Sequence, residues 1–266
     1  MIKQFKKIQT KLKNELVCFK DKDHLELYRL GLTYSKDEFY RRGAEINTLE
    51  LNKSIYRYDI INHILSTFKR PTVYLEIGVR YLEDNFNKIE ANTKYSVDPG
   101  VENSDNPVDF KVTSDVFFNG LESNKLLDNN TKFDVIFIDG LHLAEQVERD
   151  IENALKFLND DGFIVLHDCN PPTEFHASET YEYRLSPSKD FWNGTTWKAF
   201  FKYRQNPNLF SCCIDTDWGV GIISRSKNIG EPTKIKNAYF EYKVFSSNRK
   251  ESLNLMSFND FKLRLK

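Results

Sequence analysis

The sequence predicts a doubly wound α/β domain: a mostly parallel, seven-stranded sheet with an antiparallel last strand, preceded by an N-terminal helical extension. Three observations predict it. Short runs rich in β-branched and aromatic residues recur from Thr72 onward, namely VYLEI, YSV, FKV, FDVIFID, FIVLHD, LFSCCI and VGIIS. Most lack polar alternation, which is the pattern of strands covered by helices on both faces. Helical patterns lie between them. The clearest puts Leu143, Val147, Ile151, Ala154, Leu155 and Leu158 on one face before Asp160, Asp161 and Gly162 turn the chain into the next strand. The last two runs are separated only by a few residues around Asp217 and Trp218, too few for a parallel crossover, so they predict an antiparallel hairpin at a sheet edge.

Taken in order, residues 1–70 read as the helical extension, 71–228 as the α/β domain and 229–266 as a C-terminal extension packed on that domain. Met1 to Lys20 carries six lysines among Ile2, Phe5, Ile8, Leu12, Leu16 and Phe19 at helical spacing, a basic amphipathic helix. Its apolar stripe is expected to pack on the domain or on a second subunit, so a homo-oligomer stays open and contact with a membrane surface is the less favoured reading. Leu51 to Phe68 reads as another helix, closed by Pro71. The tail after Lys227 contains no interpretable motif.

Composition removes several classes of function. In 266 residues, 38 Lys+Arg stand against 39 Asp+Glu, so the charge signature of phosphate-backbone binding is missing and no nucleic-acid partner is expected. Cys18, Cys169, Cys212 and Cys213 show no CxxC spacing, and adjacent Cys212 and Cys213 would point to opposite faces of a strand. A reducing, cytoplasmic setting is expected. No apolar run approaches the ~20 residues of a membrane-spanning helix.

In an open parallel sheet ligands bind beyond the carboxyl ends of the strands. Four predicted strands end there in polar groups: Glu76 and Gly78, then Asp98, then Asp139 with His142, then His167 and Asp168.

The series YLEIGV, VDPG, FDVIFIDGLHLAEQVERDIENAL and LNDDGFIVLHD, in that order, resembles the class I S-adenosylmethionine-dependent methyltransferases, in particular a small-molecule branch with a DGxH motif. The likeness covers about Val73 to Asp168, and Leu209 to Ser224 is similar to that family's reversed last strand. It implies a Rossmann-like fold and S-adenosylmethionine as cofactor. Glu76 and Gly78 would meet the methionine part, Asp98 the ribose hydroxyls, and Ser114 or Asp115 the adenine; Asp139 borders the same pocket. One departure stands out: Gly78 is followed by Val79, Arg80, Tyr81 and Leu82 where the family usually carries further glycines. Either the cofactor loop is built differently here, or the chain is a non-catalytic relative. A nicotinamide-dependent oxidoreductase is a further alternative, disfavoured by the lack of GxGxxG after the first strand.

Asp139 alone could simply cap the next helix, with His142 a surface histidine. The neighbouring Asp168 and His167 favour a catalytic cluster instead. Two chemistries use it. Asp139 and Asp168 could hold Mg2+, which would acidify an acceptor hydroxyl. Alternatively His142, or else His167, is the general base; His142 is preferred, because strand alternation could turn His167 into the sheet. The family's metal-dependent members place an Asp or Asn directly after the second acid, whereas this chain has Cys169 and then Asn170. The segment after Asp168, with Pro171, Pro172, His176, Trp192, Asn193 and Trp197, reads as a lid over a small-molecule acceptor, a saccharide or nucleotide-sugar by family analogy.

Overall fold

The computed structural model describes residues 22–128, 130–180 and 186–266. The expected helix over Met1 to Lys20 and Cys18 lie outside the described residues.

Three helices precede the sheet: α1 (Lys22–Lys36), α2 (Glu38–Leu51) and α3 (Arg57–Ser66). Asp37 starts α2 by accepting from Phe39 N and Tyr40 N at 2.9 and 3.3 Å, which satisfies N–H groups that have no partner within the helix. The single helix expected over Leu51 to Phe68 begins only at Arg57, where the Asp59 carboxylate accepts from Tyr56 N at 2.9 Å.

Seven strands follow, β1 (Val73–Ile77), β2 (Thr93–Val97), β3 (Phe133–Ile138), β4 (Leu158–Leu166), β5 (Phe210–Ile214), β6 (Val220–Ser224) and β7 (Leu255–Met256). Their order across the sheet is β2-β1-β3-β4-β6-β5-β7. The pairs β1 with β2, β1 with β3 and β3 with β4 are parallel, while β6 runs antiparallel to both β4 and β5. The mixed, mostly parallel seven-stranded sheet expected from the sequence is therefore present, with two differences. FKV is no strand: Phe110 makes only an isolated parallel bridge to Val97. The seventh strand comes instead from the unread tail, where Leu255 and Met256 pair with Cys213 and Ile214, so β7 covers the edge that the hairpin was expected to form.

Helices α4 (Ser114–Glu122), α5 (Ala144–Phe157), α6 (Thr196–Tyr203), α7 (Tyr242–Ser247), α8 (Arg249–Leu253) and α9 (Phe258–Arg264) complete the described chain. Two cores result, one on each face of the sheet. On one side Phe117, Val147, Ile151, Ala154, Trp197, Phe200 and Phe245 pack on Leu75, Ile136, Ile138 and Ile164. On the other Ile60, Ile61, Ile64 and Phe261 pack on Tyr74, Val135, Phe137 and Val165. Strand alternation explains this split, since neighbouring residues face opposite ways. Fully burying each Val, Ile or Phe contributes about 1.5–3 kcal/mol, and that burial holds the carboxyl ends of β1, β3 and β4 side by side. Among the described residues no helix is long and apolar enough to cross a membrane.

Candidate active site

β3 and β4 lie side by side with Ile138 opposite Leu166, so their next residues emerge together. Asp139 and His142 follow β3; His167 and Asp168 follow β4. Asp168 has a left-handed backbone, φ 57°, a conformation uncommon for a residue other than glycine. His142 Nε2 lies 3.3 Å from Asp139 Oδ1 and its Nδ1 3.4 Å from Asp168 Oδ2. His167 Nδ1 approaches the same two carboxylates at 3.2 and 3.1 Å. The expectation that His167 could turn away into the sheet does not hold: it shares both acids with His142.

Two residues without a signal in the sequence join the cluster. Asp217 Oδ1 lies 3.3 Å from His167 Nε2, and Asp217 Oδ2 lies 3.2 Å from Arg57 Nη1. The Arg57 backbone N–H also donates to Asp217, at 2.9 Å, and Arg57 Nε lies 3.8 Å from Asp139. Asp217 and Trp218 form the centre of a tight turn closed by Gly219 N donating to Thr216 O at 2.8 Å. Both have positive φ, 46° and 62°, the type I′ geometry whose twist suits a β-hairpin. A carboxylate in such a turn reads as local turn chemistry in a sequence, and only the fold shows that it reaches His167.

The charges within the cluster explain its protonation. Burial alone would depress the His142 imidazole, but Asp168 and Asp139 outweigh it and push it up to about 9. His167 is raised well above the usual imidazole range, burial again being overcome by the same two acids. Burial works against the ionised Asp139, yet His167, His142 and Arg57 hold it well below the carboxylate range. The His142 Nδ1 also lies 3.2 Å from the Trp192 carbonyl, which can only accept, so that nitrogen carries a hydrogen.

Of the expected cofactor residues, Glu76 and Gly78 lie at the neighbouring end of β1 and Asp98 at the end of β2 beside it. Gly78 has φ 89°, and a Cβ there would lie 2.2 Å from the Asp139 carbonyl, so the β1 loop approaches the β3 loop as only glycine allows. Glu76 is buried; Tyr74 Oη donates to it at 2.6 Å and Asn85 Nδ2 at 2.9 Å, and desolvation pushes its carboxyl up to about 7. Asn85 thus pins the loop that lacks the usual glycines. Asp98 accepts from Val79 N at 3.0 Å, Gly100 N at 2.6 Å and Asn106 Nδ2 at 3.1 Å. Three of the roughly four lone-pair positions of a carboxylate are thereby engaged, so a two-point contact with a diol requires one of these bonds to exchange. Ser114 and Asp115 open α4, and Gln146 Nε2 donates to them at 3.1 and 3.3 Å.

The described residues of the segment after Asp168 include several bonded to the site, while residues 181–185 of the expected lid lie outside the described residues. Thr195 N donates to His142 O at 2.7 Å, and the Thr195 hydroxyl accepts from Ala144 N at 2.8 Å, capping α5 from a distant part of the chain. Trp192 stacks on His142 with ring centroids 5.3 Å apart. Trp197, by contrast, is core: it is 1% exposed and lies 4.4 Å from the Phe245 ring. Asn193 Nδ2 donates to Asp168 Oδ1 at 2.7 Å. Asn170 faces away, its side chain bonded by Arg249 and donating to Asp215 at 3.3 Å. One ligand atom from each of Asp139, His142 and Asp168 can be chosen so that all lie within 4.8 Å of one another, a cluster with donors suited to a divalent cation.

No curated protein matches the chain. Among solved structures it is similar to an O-methyltransferase from Bacillus cereus in complex with SAH, with 12% identity, 71% of this chain and 91% of that chain covered, and TM-score 0.44. It is also similar to an SAH-bound methyltransferase from Podospora anserina, with 13% identity, 76% and 95% covered, and TM-score 0.42. A third is the MycE methyltransferase of the mycinamycin biosynthetic pathway, in complex with Mg and SAH, with 14% identity, 67% and 50% covered, and TM-score 0.40. Residues 64–169, which run from α3 through the loop after β4, match the family model described as a methyltransferase domain. That matched segment holds β1, β3 and β4 with Gly78, Asp98, Asp139, His142, His167 and Asp168, so the part of the chain that builds this site is similar to a methyltransferase domain.

Proposed function

We propose that this enzyme transfers the methyl group of S-adenosylmethionine to a hydroxyl of a small molecule, using the cluster at the ends of β3 and β4. The observation that carries the reading is the convergence of Asp139, His142 and Asp168 beside the Gly78 loop. In the transfer the methyl carbon leaves the sulfonium and bonds to the acceptor oxygen. Sulfur keeps the electron pair of the broken bond, and the hydroxyl proton passes to a base. His142 is that base: both ring nitrogens face oxygen, and the imidazolium it forms lies between two carboxylates. His167, 9% exposed, holds Asp139 and Asp168 from the opposite side.

The carboxylates of Asp139 and Asp168 fit Mg2+ or a similar hard cation in ligand type and would hold it, leaving His142 to take the proton. A cation bound there would lower the pKa of the acceptor hydroxyl. The Trp192 ring beside His142 gives the acceptor a flat apolar wall, which suits a sugar ring or an aromatic alcohol. On the cofactor side, Gly78, Asp98, Ser114 and Asp115 border S-adenosylmethionine, with Glu76 supporting the loop from below. The buried thiols of Cys169, Cys212 and Cys213 suit a cytoplasmic enzyme.

Calorimetric titration with S-adenosylmethionine, with and without Mg2+, followed by an acceptor screen, tests this reading. Asp98→Ala should weaken cofactor binding, through its contact and through release of Val79 and Asn106. His142→Ala should abolish turnover while leaving cofactor affinity nearly unchanged; full turnover in that variant removes His142 as the base.

A further inference from the structure

We propose that Asn193 is a positioning residue for Asp168, an assignment that rests on reading Asp139, His142 and Asp168 as the hydroxyl-activating cluster. The two oxygens of Asp168 have different partners. Oδ2 faces His142 and His167, at 3.4 and 3.1 Å, whereas Oδ1 accepts from Asn193 Nδ2 at 2.7 Å. Asn193 therefore decides which edge of the carboxylate is offered to the centre.

The orientation of the Asn193 amide is determined by its surroundings. Its Nδ2 faces Asp168 Oδ1 and, at 3.4 Å, the Trp218 carbonyl. Both only accept, so a flipped amide would set oxygen against oxygen. Asn193 is 1% exposed, and its own Oδ1 is buried with no hydrogen-bond partner among the described residues. An orphaned buried carbonyl costs free energy. A residue that only filled space would avoid that cost, whereas one needed to donate to Asp168 bears it.

Asn193 is itself held from behind. Its N–H and that of Gly194 donate to the His176 carbonyl at 3.0 and 3.1 Å. The His176 ring is fully buried between Thr173 Oγ1, at 2.8 Å, and Asn47 Oδ1 on α2, at 2.7 Å. On the other side Gly194, with φ 60°, passes so close to His142 that a Cβ would lie 2.2 Å from its carbonyl oxygen. The arrangement is a rigid chain from α2 through His176 to Asn193 and on to the strained backbone of Asp168. The asparagine nearest Asp168 in sequence, Asn170, cannot serve, because Arg249 and Asp215 engage both ends of its amide.

Mn2+ titration of the full-length protein, followed by electron paramagnetic resonance of the free ion, tests the assignment, with S-adenosylmethionine calorimetry on each variant as the check on folding. Asn193→Ala should bind Mn2+ about 10–100-fold more weakly, the usual effect of losing a group that orients a metal-binding carboxylate, with cofactor affinity retained. Asn193→Asp, of the same size but unable to donate when ionised, should behave alike. Wild-type Mn2+ affinity in either variant overturns the proposal. If the wild-type protein binds no Mn2+, the cation reading fails, and the positioning is then read from the imidazole ring signals of His142 by nuclear magnetic resonance. Those signals move in Asn193→Ala if Asn193 orients Asp168; unmoved signals overturn the proposal.

Discussion

Replacing Gly78 by alanine tests whether the close approach of the β1 and β3 loops builds the site. The backbone there has φ 89°, and the added Cβ would lie 2.2 Å from the Asp139 carbonyl oxygen and 2.5 Å from Gly140 Cα. Left-handed backbone costs an L-residue roughly 1–2 kcal/mol, and forcing atoms into a packed contact costs about 1–3 kcal/mol. Together these predict a destabilisation of about 2–5 kcal/mol. At roughly 2–4 °C per kcal/mol for a large domain, thermal unfolding should fall by about 4–20 °C. The clash is with backbone on both sides, so relaxation must separate the loops and displace Asp139 from His142 and His167. S-adenosylmethionine affinity should fall with stability. Gly140→Ala supplies the control, since a Cβ there meets nothing nearer than 3.7 Å. An unchanged melting temperature and cofactor affinity in Gly78→Ala would refute the reasoning, as would equal losses in both variants.

Three further outcomes are expected. His142, raised to about 9 in the fold against about 6.5 in an unfolded chain, keeps a proton that the unfolded chain has lost. Its stabilisation, on the order of 3 kcal/mol, is therefore full below about pH 6.5 and is lost as pH rises through about 9. A melting temperature measured in chelator should fall over that window and fall less in His142→Ala; a flat profile contradicts the assignment. Glu76, raised to about 7, acts in the same direction but over a lower window, since its folded-state proton is lost as pH rises to about 7. In turnover, the neutral His142 required of a base faces Asp139, Asp168, His167 and Arg57, so the rate should climb with pH toward about 9, and a rate that falls across that range argues against His142. Asp217→Asn removes the charge that meets Arg57 and His167 and should cost about 1.5–3 kcal/mol, read by urea unfolding; no change would make the Asp217 contacts incidental.

The layered α/β architecture was legible in the sequence because burial on both faces writes itself locally, as the short runs VYLEI, FDVIFID and FIVLHD and the apolar face of α5. Strand ends are local too, and that is why Asp139, His142, His167 and Asp168 could be named together: adjacent parallel strands with polar termini must deliver them to one edge. Other contributions came from far along the chain and left no periodic trace. Arg57 sits at the start of a helix, Asp217 in a hairpin turn, and Asn193 beyond two prolines, and each reaches the cluster only because the sheet brings distant segments within 4 Å. FKV has the composition of a strand but makes a single bridge, while LM in the tail has almost no signal and pairs at the edge, since pairing depends on which neighbour offers free backbone groups. The protonation of His142 belongs to the tertiary structure as well. An imidazole in a sequence titrates near neutrality, and only the two carboxylates that the fold places beside it, against the penalty of burial, move it to about 9.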